Sequence, residues 1–195
     1  MRFKVASAAV CLLLSASPRA TTVIAPSFEE LVREADVVFE GEVIETRSRV
    51  SVEGGAETIV TDVSFKVASV LKGTPGPVTV LEFLGGVVGD RGFKVDGVPT
   101  FARGDRDVIF ANTSQRLLSP LVRVMYGRVR IVKDGPARQE FVRQFNGTPL
   151  RDVAAIGSTQ QQAVFSQTPS MSLSSFEASV TREVARQAGD KRPRQ

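Results

Sequence analysis

The chain has 195 residues, 25 basic against 21 acidic, with no histidine, no tryptophan and a single cysteine, Cys11. That inventory excludes serine–histidine and cysteine–histidine nucleophilic systems, and any zinc site of the ordinary His/Cys kind. Carboxylates, lysines and hydroxyls are the groups left for chemistry.

The first twenty residues have the order of a secretory signal peptide. Met1-Arg2-Phe3-Lys4 is cationic, Val5 to Ala16 is an apolar run broken only by Ser7 and Ser15, and Ser17-Pro18-Arg19-Ala20 is small and turn-prone. A membrane span needs roughly 20 apolar residues to cross ~30 Å of hydrocarbon, and this run is shorter. Cleavage after Ala16 and cleavage after Ala20 both fit. Cys11 leaves with the signal, so the mature protein is expected to have no disulfide and to depend on its own core. The formal charge of +4 includes Arg2, Lys4 and Arg19. After processing the chain carries about +1, and the remaining basicity concentrates in Arg182, Arg186, Lys191, Arg192 and Arg194. No nucleic-acid partner is expected from such a distribution. The expected compartment is periplasmic or extracellular, with no membrane span once the signal is gone.

From there the pattern is that of a β-rich domain over 21–156. Ser27-Phe28-Glu29-Glu30 reads as a capping box that opens a short helix, with Phe28, Leu31 and Ala35 on one face. Val37, Phe39, Gly41 and Val43 then alternate with the residues between them, a half-buried strand. Ile59, Thr61, Val63, Phe65 and Val67 do the same after a turn at Glu53-Gly54-Gly55-Ala56. The inward residues of both strands are odd-numbered. A two-residue Gly54-Gly55 turn pairs 53 with 56 and would turn one strand inside out, so the loop holds an odd number of residues or the hairpin carries a bulge.

Lys72 to Pro77 ends the second strand. Val78 to Leu84 reads as a third strand, followed by a glycine-punctuated hairpin between Gly85 and Gly92 and a turn at Asp96-Gly97. Val108-Ile109-Phe110 is a short apolar strand. Val122 to Val132 and Gln139 to Phe145 read as two more, joined across Asp134-Gly135-Pro136. About seven strands at this spacing indicate a mostly β fold: an antiparallel, partly open OB-like barrel or sandwich with a short N-terminal helix and a C-terminal helix. The expected core includes Phe39, Val63, Phe65, Val67, Phe83 and Phe110, with Phe93 and Phe141 also at alternating apolar positions.

Residues 157–172 are rich in Ser, Gln and Thr and read as a linker. Ser174-Ser175-Phe176-Glu177 is a second capping-box pattern, and Phe176, Val180 and Val184 give one apolar edge to a short helix over 173–188. That helix either docks on the barrel or waits for a partner or membrane surface. Residues 189–195 read as a disordered basic tail.

Few patterns carry chemistry. Ser69-Val70-Leu71-Lys72 has the spacing of an S-x-x-K motif but ends a strand, where side chains three apart point to opposite faces. Asp105-Arg106-Asp107 places two carboxylates on one face of an extended segment, as a metal or sugar-nucleotide site does. Glu40 and Glu42 share a strand face across from Lys66. The glycines from Gly85 to Gly92 make no phosphate loop, and no cofactor is expected. Tyr126, flanked by Arg123, Arg128 and Arg130, is the one aromatic in a basic setting. Asp105, Asp107, Tyr126 and Arg128 are thus the candidates for a polar surface site, with no catalytic, cofactor or metal residues assigned.

The segments Phe28-Glu29-Glu30-Leu31-Val32, Ala35 to Val43, Val63 to Val67 and Val70-Leu71-Lys72-Gly73 resemble the opening of bacterial domains similar to tissue inhibitors of metalloproteinases and netrin modules. Phe101-Ala102-Arg103-Gly104-Asp105 ahead of Val108-Ile109-Phe110 extends the likeness. The resemblance implies a five-stranded barrel of OB type. The animal inhibitors chelate the protease zinc through an N-terminal cysteine, which this chain lacks in its mature form, so that activity is not carried over. Leu84-Gly85-Gly86-Val87-Val88-Gly89 is similar to a segment of uncharacterised exported bacterial proteins, which implies a fold and a compartment. The expected function is a non-catalytic exported binding or interaction module for an unknown protein or envelope component. The alternatives are a hydrolase using Asp105 and Asp107, or a protease-inhibitor-like module without the cysteine.

Overall fold

The computed structural model describes residues 24–113, 118–134, 139–157 and 170–190. The segment 1–20 expected to be a signal, most of the expected linker and residues 191–195 lie outside them, as does most of the turn expected after Asp134. Ser27 caps the first helix, α1 (Phe28–Glu34), by accepting from the Glu30 amide while the Glu30 carboxylate accepts from the Ser27 amide. Two 17-residue strands follow, β1 (Val37–Glu53) and β2 (Ala56–Lys72). Then come β3 (Val78–Leu84), a small hairpin of β4 (Gly86–Val88) and β5 (Arg91–Phe93), β6 (Arg106–Ala111), β7 (Arg128–Asp134), β8 (Gln139–Gln144) and the closing helix α2 (Leu173–Asp190).

Six strands form one antiparallel sheet in the order β3-β2-β1-β6-β7-β8. The sheet is not closed, and β4 and β5 make a separate two-stranded sheet. Its centre is buried on both faces. Phe28, Leu31 and Val32 of α1 and Phe176 and Val180 of α2 pack with Val38, Val108 and Phe110 on one side. Phe39, Val43, Val63, Phe65, Phe83 and Ile109 form the core on the other. A strand buried on both faces can be apolar at every position, which accounts for the unbroken runs Val37-Val38-Phe39 and Val108-Ile109-Phe110. Val67 packs against the second core while only half-buried.

The β1–β2 hairpin has its two-residue turn. Glu53 faces Ala56, and Gly54 and Gly55 take φ of 57° and 83°, the positive pair that a tight primed turn needs. The parity conflict is resolved by a bulge. Val43 faces Phe65 while Glu45 faces Ser64, leaving Ile44 as an extra residue. Up to Val43 the odd residues of β1 face the second core; past Ile44 the even residues Thr46 and Ser48 take over that face, opposite Val63 and Thr61.

Three expectations are corrected. The strand expected from Val122 starts only at Arg128, because residues 122–127 form a compact loop with Arg123 and Val124 at φ 51° and 66°. Phe110 holds both ends of that loop, its carbonyl accepting from the Val122 amide and its amide donating to the Gly127 carbonyl. The Ser119 hydroxyl accepts from the Leu121 amide and donates to the Val124 carbonyl, which fixes the loop further. Secondly, α2 is capped by Ser172 rather than Ser174: the Ser172 hydroxyl accepts from the Ser175 amide at 3.2 Å. Met171 is already bonded to β8, its carbonyl accepting from the Val142 amide, while its amide donates to the Leu150 carbonyl. Thirdly, Phe93 is not core; it is 43% exposed.

On the helical side, Phe176 lies 6.3 Å from Phe28 and 6.2 Å from Phe110, ring centre to ring centre. Lys72, the lysine of the S-x-x-K string, serves the fold. Its ammonium donates to the carbonyls of Val32 and Ala35 at 2.6 and 2.5 Å, satisfying acceptors at the C-terminal end of α1 that the helix leaves unpaired. No described helix is long and apolar enough to cross a membrane.

Candidate functional site

The bulge at Ile44 makes a cavity. By placing the half-buried Ser48 and the exposed Thr46 on that face it ends the apolar packing of the second core in two small polar side chains, and the β4–β5 hairpin and the segment 94–101 lie beside the space left. The cavity, open to solvent on one side, has a volume of about 520 Å³, within the range of sites that hold small molecules. Val63, Phe83, Val98 and Phe101 line its apolar wall; Thr46, Ser48, Thr61 and Thr100 supply hydroxyls.

Gly85 and Gly86 set the angle of the covering hairpin. Gly86 has φ of 140°, and a β-carbon on it would collide with the Thr61 and Ser48 hydroxyls. Those hydroxyls form a directed chain. Thr61 donates to the Gly85 carbonyl at 2.7 Å, so its oxygen accepts from Ser48 at 2.9 Å. Ser48 in turn accepts a long bond from the Val87 amide at 3.4 Å. Glycine at this position is therefore a requirement of close approach, and the hydroxyls tie the hairpin to the sheet.

Behind the cavity wall sits a buried ionic clamp. Asp105 and Asp107, two apart on the approach to and start of β6, both accept from Arg128 on β7, at 2.8 and 2.9 Å. The third arm of the guanidinium donates to the Thr100 carbonyl at 2.7 Å. The Phe101 ring covers the guanidinium, 4.1 Å from its central carbon. On its other sides Phe101 meets Phe65 at 5.4 Å and Phe83 at 5.0 Å. The clamp thus fixes Thr100 and Phe101, both lining residues.

Electrostatics differ sharply between the two carboxylates. Burial pushes Asp107 above the usual aspartate range against the pull of Arg128; the residue is fully buried and its Oδ2 has no hydrogen-bond partner. Burial also raises Asp105, but the Ala102 amide and Arg128 outweigh it and hold that carboxyl below the usual range.

Of the four expected site residues, then, three come together: Asp105, Asp107 and Arg128. They form an internal ion cluster rather than a surface site. Tyr126 stands apart, its ring edge-on to Phe145 at 5.1 Å. Its basic surroundings are engaged elsewhere, since Arg123 grips Glu34 of α1 through two bonds of 2.9 and 2.7 Å. Glu40 pairs with Arg106, which also binds Glu140, while Glu42 sits opposite Lys66 in register. Among the described residues no group of three or more His, Cys, Asp or Glu side chains is placed to hold a metal ion.

Sequence reasoning did not find the cavity. Its signal was present in the parity conflict of the first hairpin, which requires a bulge, and in Gly85-Gly86, which marks a close backbone approach. No known protein family, curated protein or solved structure matches the chain.

Proposed function

We propose that this protein is a non-catalytic, exported binding module that holds a small, largely apolar ligand in the cavity between β1, β2 and the β4–β5 hairpin. The single observation that carries the reading is the cavity itself, about 520 Å³ in volume, with an apolar wall and a hydroxyl chain at one side. The carboxylates offer poor support for hydrolysis. Asp107 is fully buried, and Asp105 is engaged by Arg128 and the Ala102 amide, so neither is free to meet a substrate. Export rests on the cationic start and apolar run of residues 1–20.

The test is an equilibrium titration of the purified protein with a neutral apolar fluorophore such as N-phenyl-1-naphthylamine. Saturable binding at one site is expected. Thr46 is exposed at the cavity rim, so Thr46→Trp obstructs entry without disturbing the core and lowers affinity by about tenfold or more. Absence of saturable binding overturns the reading.

A further inference from the structure

The lining of the cavity carries one charged side chain, Lys94, and no acid. Lys94 is exposed and makes no hydrogen bond or ion pair among the described residues. Several nearby arginines, by contrast, are paired. Arg49 is paired with Asp62 and Glu82, Arg91 with Glu57, and Arg128 with Asp105 and Asp107. An unpaired ammonium at the rim of an apolar cavity favours an anion there and disfavours a cation.

The hydroxyl chain narrows the choice further. Ser48 donates to Thr61 and Thr61 to the Gly85 carbonyl, so neither hydroxyl hydrogen remains for a ligand. A buried carboxylate would find no donor on that side, while Lys94 and the exposed Thr46 and Thr100 offer donors at the surface. The charged end of a ligand therefore belongs at the rim and its apolar body inside, against Val63, Phe83 and Phe101.

We infer that the ligand is an amphipathic anion: a monocarboxylate, or an acid of like charge, whose apolar body fills the cavity and whose head group pairs with Lys94. This rests on the cavity reading above and adds the class of ligand to it.

Three probes of equal chain length separate the possibilities: decanoate, decanol and decylammonium, each titrated calorimetrically into the intact protein below its aggregation concentration. Decanoate is expected to bind about tenfold more tightly than decanol, and decylammonium more weakly than either. Added salt narrows the gap between decanoate and decanol, because an exposed pair is screened. Lys94→Gln abolishes the preference for decanoate over decanol. Equal affinity for decanoate and decanol, or a preference that survives Lys94→Gln, overturns the inference while leaving the cavity reading in place. If none of the three binds, both fall.

Discussion

The guanidinium of Arg128 lies over the ring of Phe101 with 4.1 Å between its central carbon and the ring centre, and this contact joins the buried ion cluster to the wall of the cavity. A charge that holds two carboxylates on one side carries a lining aromatic on the other. Truncating Arg128 therefore has two effects. Arg128→Met leaves Asp107 buried without its partner and is expected to cost ~3–5 kcal/mol in urea denaturation. The double variant Arg128→Met/Asp107→Leu removes the stranded charge and recovers most of that loss. Both variants bind the neutral probe more weakly, since Phe101 and Thr100 lose their support.

Gly86 supplies a sharper test of the covering hairpin. Gly86→Ala places a methyl group against the Thr61 and Ser48 hydroxyls at a φ that alanine avoids. A loss of roughly 1–3 kcal/mol is expected, with weaker probe binding. Gly92→Ala on the same hairpin is the control. Its nearest neighbour is Val87 Cγ2 at 3.8 Å, ordinary contact, and its stability should stay near that of the parent.

The core assignment is checked by Phe65, which is fully buried and touches Phe39 and Phe101 at ring distances of 5.8 and 5.4 Å. Phe65→Ala is expected to lower stability by ~3–5 kcal/mol in chemical denaturation. A loss under ~1 kcal/mol contradicts the packing described.

A pH dependence follows from Glu177 on α2. Burial raises its pKa above the usual 4.5, and the nearby Glu40 and Glu140 raise it further, opposed by Arg106. Its Oε1 is buried and has no hydrogen-bond partner. A raised folded-state pKa means that the protonated carboxyl favours the folded state. That contribution is complete below pH 4.5 and is lost as the pH rises through the folded value. Glu177→Gln mimics the protonated form, so it should be more stable than the parent at pH 7, with the difference vanishing in acid. Thermal melts across this range, showing instead a constant offset, would count against the assignment.

Local signals in the chain were accurate wherever a single element decides the outcome. Ser27 and Glu30 specify the start of α1 without outside help, and the alternation from Ile59 to Val67 places Val63 and Phe65 inward. Legibility fails where two distant segments decide together. Val122 to Val132 has apolar spacing compatible with a strand, yet Phe110 binds residues 122 and 127 from across the sheet and folds the first half into a loop. Ser174 matches a capping pattern, but the chain is already tied to β8 through Met171, and Ser172 becomes the cap of a helix that begins at the expected Leu173. Phe93 alternates as a core residue would, on a strand whose hairpin covers a cavity instead of a packed interior. Asp105 and Asp107 were legible as a same-face pair. What they face, Arg128, depends on the pairing of β6 with β7, in which Asp107 lies opposite Arg130 and Ile109 opposite Arg128. The cavity is the least legible feature, because it needs the bulge, the glycine approach and the 94–101 segment at once.

In the proposed function, ligand enters the space beneath the β4–β5 hairpin. This is tested most directly by mapping backbone amide shifts by NMR as the neutral apolar probe is titrated to saturation. Shifts are expected to concentrate on Thr46 and Ser48, Thr61 to Val63, Phe83 to Val87 and Phe93 to Phe101, and to be small on α2 and β8. A map centred on α2 and β8, or saturation without shifts around the cavity, contradicts the claim.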